Sequence, residues 1–153
     1  ALYAQGKYSP AEPLLKRALA IYDKVRGREH HSVASVLRYL GLLYTEQGKY
    51  AEAKPPLKRA LAIYEKVWGR EHPSVARALD NLGTLYGSQG KYSQAEPLLK
   101  RALAIYEKVL EPNHRDVASV LQYLGLLYTE QGKYAEAKPL LARARAIREK
   151  HVH

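Results

Sequence analysis

Six histidines, recurring Gly-Lys-Tyr triplets and a surplus of Lys and Arg are the features of this chain that could do chemistry. His30, His72 and His114 are each 42 residues from the next; His31 adjoins the first, and His151 and His153 close the chain. Zinc needs ligands converging at about 2.1 Å on one point. One histidine per 42 residues cannot supply them unless chains assemble. These histidines read as linker structure, with adventitious metal at His30/His31 or the terminus as the alternative, and no metal site or cofactor is expected. Gly-Lys-Tyr-Ser at 6–9 and 90–93 superficially resembles a phosphate loop. It lacks the glycine five residues earlier and any preceding strand, so that reading fails. The absence of Cys removes thiol nucleophiles, Cys–zinc sites and disulfides together. No Ser/His/Asp set with an orienting partner is present, nor a carboxylate pair on a groove, so no enzyme is expected.

The charge balance, 25 Lys+Arg against 15 Asp+Glu, gives a formal +10. Lys16–Arg17, Lys58–Arg59 and Lys100–Arg101, with Lys24, Lys66, Lys108 and Lys150, would build basic stripes along one side. Such stripes attract phosphates in a salt-dependent way. Glu65 and Glu107 interrupt them, however, and no aromatic–basic alternation marks a nucleic-acid platform. Nucleic acid is therefore not the expected partner. No apolar run approaches the ~20 residues of a membrane span, and Ala1–Pro10 lacks the layout of a signal peptide. Without Cys or an initiator Met, the chain reads as a segment excised from a cytoplasmic protein.

The elements that position these residues follow from an internal repeat. Gly6, Gly48, Gly90 and Gly132 head successive Gly-Lys-Tyr triplets at a 42-residue interval. RALAIYDKV at 17–25 returns as RALAIYEKV at 59–67 and 101–109, and LGLLYTEQGKY at 40–50 returns at 124–134. A period this long means stacked supersecondary units. Each unit carries two helical patterns. The first runs over 73–89, with Val75, Leu79, Leu82, Leu85 and Tyr86 on one stripe and Gly90 ending it. The second runs over 93–110, with Ala95, Leu98, Leu99, Ala102, Ile105, Tyr106 and Val109 on one side. Ser93 with Glu96, and Ser9 with Glu12, read as capping boxes with Pro10 in the first turn. Pro13, Pro55, Pro97 and Pro139 then fall where the amide has little or no partner to lose. Gly41, Gly83 and Gly125 predict close backbone packing against the Ala53, Ala95 and Ala137 side, since mid-helix glycine costs about 1 kcal/mol against alanine.

On the strings LG–LY–QGKY–A–P and RALAIYEKV–G–EHP–V, the whole chain resembles tetratricopeptide repeats (TPRs) of the 42-residue kinesin-light-chain type. The usual unit is 34 residues; the added length falls in the second helix and the following linker. The resemblance implies an all-α, right-handed superhelical solenoid of antiparallel helix pairs, first helices lining a concave face. Residues 1–153 form one solenoid on this reading. It comprises a partial repeat at 1–26 (the tail of a first helix at 1–5, then a second helix), repeats at 31–68 and 73–110, and a C-terminal repeat at 115–150. There Arg145 and Arg148 replace Leu103 and Tyr106, and with Arg143 they predict a polar capping helix rather than a phosphate site.

Units two apart are more alike than neighbours. Ser35, Arg38, Tyr39, Leu42, Thr45 and Glu46 become Arg77, Asp80, Asn81, Thr84, Gly87 and Ser88, then return as Ser119, Gln122, Tyr123, Leu126, Thr129 and Glu130. All lie off the apolar stripe of the first helix, towards the expected groove. The resemblance implies a groove that holds a peptide or partner segment, with an Asn on the first helix fixing its backbone; Asn81 matches, while Tyr39 and Tyr123 break the ladder. A Lys/Arg/Asn clamp for a terminal carboxylate is diluted by Asp80 and Glu46. The candidate peptide-binding set is Arg38, Tyr39, Leu42, Arg77, Asp80, Asn81, Gln122, Tyr123 and Leu126. Of the 13 Tyr, ten at repeated positions read as framework, leaving Tyr39 and Tyr123 as contacts and Tyr3 in the frayed start. The expected function is a non-catalytic protein-interaction scaffold. The alternative is a designed or recently duplicated structural module with no specific ligand. Either version predicts end-to-end self-association through an apolar end at Ala1–Tyr3 and the neighbouring second helix.

Overall fold

The computed structural model describes residues 8–152, which form seven helices. These are α1 (Tyr8–Arg26), α2 (His31–Glu46), α3 (Tyr50–Trp68), α4 (Pro73–Ser88), α5 (Tyr92–Val109), α6 (Arg115–Glu130) and α7 (Tyr134–Val152). Helices α2/α3, α4/α5 and α6/α7 pack as tight pairs. Each pair stacks on the next, so that α2, α4 and α6 lie side by side. No strand occurs among the described residues. The expected first-helix tail at 1–5, with Tyr3, lies outside them.

Each pair closes on the apolar stripes read from the sequence. Val75, Leu79 and Leu85 of α4 and Leu99 and Ala102 of α5 are wholly buried, each large side chain stabilising the fold by roughly 1.5–3 kcal/mol. The mid-helix glycine sets the approach. A Cβ on Gly83 would lie 2.6 Å from Leu99 Cγ, and one on Gly125 2.6 Å from the same atom of Leu141. Leu99 therefore fills the place of the absent side chain. The turn to the second helix is equally determined: Lys91 N–H donates to the Tyr86 carbonyl at 2.9 Å across Gly90, whose φ of 75° suits glycine.

The starts of the helices differ from expectation in two ways. Helix α5 begins at Tyr92 after Lys91, with no side-chain cap, so Ser93 lies inside the first turn and no Ser93–Glu96 capping box forms. Glu96 instead pairs with Lys100 at 3.7 Å. The Ser9 side chain lies outside the described set. Because α5 starts one residue early, Pro97 sits in the second turn and frees the carbonyl four residues back, that of Ser93. Ser93 and Pro97 both lie on the exposed side of the helix.

The first helices are capped by the linker histidines. His30, His72 and His114 each accept a hydrogen bond on Nδ1 from the backbone N–H two residues on, at 3.1, 3.0 and 3.0 Å. This is the work usually done by Ser, Thr, Asp or Asn. Trp68 stacks between His31 and His72, with centroids 4.9 and 4.3 Å away. Among the described residues no group of three or more His, Asp or Glu could hold a metal, and no helix is long and apolar enough to cross a membrane.

Candidate functional site

Helices α2, α4 and α6 present equivalent positions side by side: Tyr39, Asn81 and Tyr123 in one row, Leu42, Thr84 and Leu126 one turn on. Tyr39 is 42% and Leu126 46% exposed, while Leu42, Asn81, Thr84 and Tyr123 are half-buried. Two apolar ends thus flank a polar centre on α4.

The centre is held by contacts between neighbouring first helices. Arg38 on α2 donates to Asn81 Oδ1 at 3.2 Å, and its guanidinium lies 4.8 Å from the Tyr39 ring centre. Arg77 is exposed and reaches the Asp116 carboxylate of α6 at 3.8 Å. Asp80 is half-buried between α2 and α6. Its pKa is pushed up to about 6, first by burial and then by the Asp116 charge, with Arg38 opposing. The Tyr123 hydroxyl donates to the Thr84 carbonyl at 3.1 Å. A Cβ on Gly87 would meet that hydroxyl at 2.7 Å, so Tyr123 occupies room that Gly87 leaves open. Gln122 is half-buried with an unpartnered Oε1.

This geometry revises part of the sequence reading. Among residues assigned to the groove, Ser35 instead meets the Tyr64 hydroxyl of α3 at 2.8 Å, within its own helix pair. Thr45 Oγ1 donates to the Gly41 carbonyl of its own helix at 2.7 Å. Two framework tyrosines are also displaced: Tyr22 is 37% and Tyr134 67% exposed, whereas Tyr64 and Tyr106 are buried. Tyr22 belongs to the end helix and has one fewer neighbouring pair among the described residues.

The opposite side carries the basic stripes, and they are largely paired. Arg59 reaches Asp23 at 3.2 Å, Arg101 reaches Glu65 at 2.9 Å and Arg143 reaches Glu107 at 2.7 Å, each joining one second helix to the preceding one. Lys66–Glu29 and Lys108–Glu71 tie second helices to linkers. Each pair cancels one charge of either sign, so the +10 excess resides on Lys and Arg outside these contacts.

The tetratricopeptide-repeat model matches residues 1–66, 57–108 and 74–150, which together span nearly the whole chain. The chain belongs to the tetratricopeptide-repeat family. No curated protein sequence matches it. Among solved structures, the TPR array is similar to BtubC (BKLC) from P. vanneervenii, at 26% identity and a TM-score of 0.87, covering 98% of this chain and 60% of that one. It is similar also to the nearly identical TPR-like repeats of a Podosopora anserina kinesin light chain, at 31% identity, TM-score 0.73, covering 98% and 71%. MamA MSR-1 shares the fold at 24% identity and TM-score 0.64 over 98% of this chain and 72% of that one. The TPR array thus spans about three-fifths of BtubC. Its solenoid is of the kinesin-light-chain-like type, and TPR arrays as a class are non-catalytic protein–protein interaction scaffolds.

Proposed function

We propose that the face formed by α2, α4 and α6 receives an extended peptide or partner segment. The observation that carries this reading is the strip running from exposed Tyr39, over the polar centre of α4, to exposed Leu126. Tyr offers recognition area at low entropic cost. Asp80, whose ionisation burial disfavours, offers its carboxylate to a cationic ligand group, and such a group would stabilise that charge. Arg38 and Asn81 bond to each other through Nη1 and Oδ1, which leaves the Asn81 amide NH2 and the other guanidinium N–H groups to meet a ligand backbone. The test is a peptide-library selection followed by Tyr39→Ala and Leu126→Ala. Both side chains are exposed, so folding should persist while selected peptides lose about tenfold in affinity. Equal affinity in the double variant, with Val67→Ala as an outer-side control, would remove the face from consideration.

A second reading, a module that self-associates through its ends, draws on α1. Ile21 is 52% and Tyr22 37% exposed, whereas Ile63, Tyr64, Ile105 and Tyr106 at the same repeat positions are at most 5% exposed. A sedimentation series should then show oligomers that Ile21→Glu disperses; a monomer throughout the micromolar range would end that reading.

A further inference from the structure

Helix α4 has α2 on one side and α6 on the other, so the middle of the inner face is complete in both directions. Four charges gather there, and three of them are engaged. Arg38 bonds to Asn81, and Arg77 pairs with Asp116. Among the described residues the Asp80 carboxylate has no hydrogen bond and no ion pair; Arg38 and Asp116 act on it only through space. Its oxygens are not sealed in either: among the described residues the side-chain oxygens shut away without a partner are those of Gln47 and Gln122. Asp80 is therefore a half-buried, unpaired carboxylate that remains reachable from the groove. A charge in that position gains more from a counter-charge than its paired neighbours do, because burial makes an uncompensated charge costly.

Packing does not account for the residue. The same repeat position is Arg38 on α2 and Gln122 on α6, so the framework accepts a cation or an amide there. The raised pKa points the same way, since ionised Asp80 works against folding at neutral pH. An acid that the neighbouring repeats do without, and that costs stability where it stands, belongs to the kind of group found at binding sites. The surroundings also set the sign of the ligand. An anion at this point would be repelled by Asp80 and Asp116 and would find both guanidiniums already engaged. A cation meets the one charge that lacks a partner.

We propose, on the reading of this face as a peptide groove, that its ligand is a basic segment whose Lys or Arg side chain pairs with Asp80. The Asn81 amide NH2, one residue on, donates to the backbone of the same segment. The ligand thus supplies the counter-charge that the fold withholds from Asp80.

The test uses the whole chain and nine-residue peptide libraries, random except for a central Lys, Arg, norleucine or Glu. Selection is made at about 150 mM salt, where long-range repulsion by the +10 chain is screened. The Lys and Arg libraries should yield binders. Replacing the central residue of a selected peptide by norleucine should cost at least about tenfold in affinity, read by fluorescence anisotropy. Asp80→Asn should lose the same factor against the Lys peptide and nothing against its norleucine version, which isolates the pair in a double-mutant cycle. Because Asp80→Asn removes a charge that opposes folding, unfolding would not explain the loss. Asp80→Arg, which imposes the residue of α2, should turn the preference towards a central Glu. Norleucine or Glu peptides selected as readily as Lys peptides would overturn the proposal, as would unchanged binding of the Lys peptide by Asp80→Asn. If the selected peptides still lose affinity with Tyr39→Ala/Leu126→Ala, the groove reading then stands without it. If no variant on the face alters binding, both readings fall.

Discussion

Each junction between repeats has an outer side, built by second helices, and an inner side, built by first helices, and the two are constructed differently. Outside, one contact is repeated: Arg59–Asp23, Arg101–Glu65 and Arg143–Glu107 join successive second helices. Inside, the first junction uses Arg38–Asn81 and the next uses Tyr123 lying over Gly87 and bonded to Thr84. Long charged side chains reach across water-exposed gaps and tolerate small changes of spacing, so one solution can be copied. The inner helices lie side by side and a bulky residue on one needs a vacancy on its neighbour. The alternation of residues along the inner face is thus partly pairwise packing, and only the remainder is open to selection by a ligand.

The largest effect lies in the helix pair beneath both sides: Gly83→Leu should cost about 3 kcal/mol in urea unfolding by driving atoms into Leu99, and Leu99→Ala should recover part of it. Next, Gly87→Thr, which imposes the residue of the neighbouring repeats, should displace Tyr123 and cost about 1–3 kcal/mol. Asn at position 123 should suppress that cost, giving a coupling energy in a double-mutant cycle.

A pH series sharpens the same contrast. Asp80, with its folded pKa raised to about 6 from 3.8, binds a proton more readily folded than unfolded. Its ionisation therefore opposes folding above pH 6, and the penalty is relieved as pH falls from about 6 towards 4. Asp80→Asn should stabilise the fold by roughly 1–2 kcal/mol at pH 7. His30 and His72 act in the other direction. Both lie below the ordinary imidazole range through partial burial, with His31 and Arg26 adding to the first and Arg77 to the second. Their neutral forms favour folding, so the contribution is full above about pH 6.5 and is lost below it. Asp80→Asn should consequently steepen the acid loss of urea midpoint, and His72→Asn, which keeps a capping oxygen without a titrating ring, should flatten it.

Smaller effects remain on the two sides themselves. Tyr123→Phe should cost about 1 kcal/mol for the lost bond to Thr84. Arg101→Ala on the outer side should cost about 0.5 kcal/mol, and less at high salt. An outer loss exceeding the inner one would reverse the assignment of specificity to the first helices.

Much of this architecture was legible because its signals are local and repeated. The stripe from Val75 to Tyr86, the turn at Gly90 and the Gly83 approach all depend on residues a few positions apart or on the copied pair. Histidine capping was missed because imidazole is not among the usual caps; the signal was His two residues before Ser32, Ser74 and Asp116, just ahead of the apolar stripe. The capping box at Ser93 failed because the helix is capped two residues earlier, at Lys91. Tyr123 looked like a ligand contact because its partner, Gly87, lies on another helix. The loss of threonine at Gly87, in the repeat just before Tyr123, was the available clue. Gln122 and Leu126 could be ranked only from the structure, since burial at a junction depends on what the next first helix presents.

Trp68 is the one tryptophan of the chain, and it is stacked between His31 and His72 where α3 gives way to α4. The protein therefore carries its own optical label at a single joint. Indole emission will report the parting of that joint, whereas circular dichroism averages over seven helices. A gap between the two unfolding curves would measure directly how far the stack comes apart link by link instead of all at once.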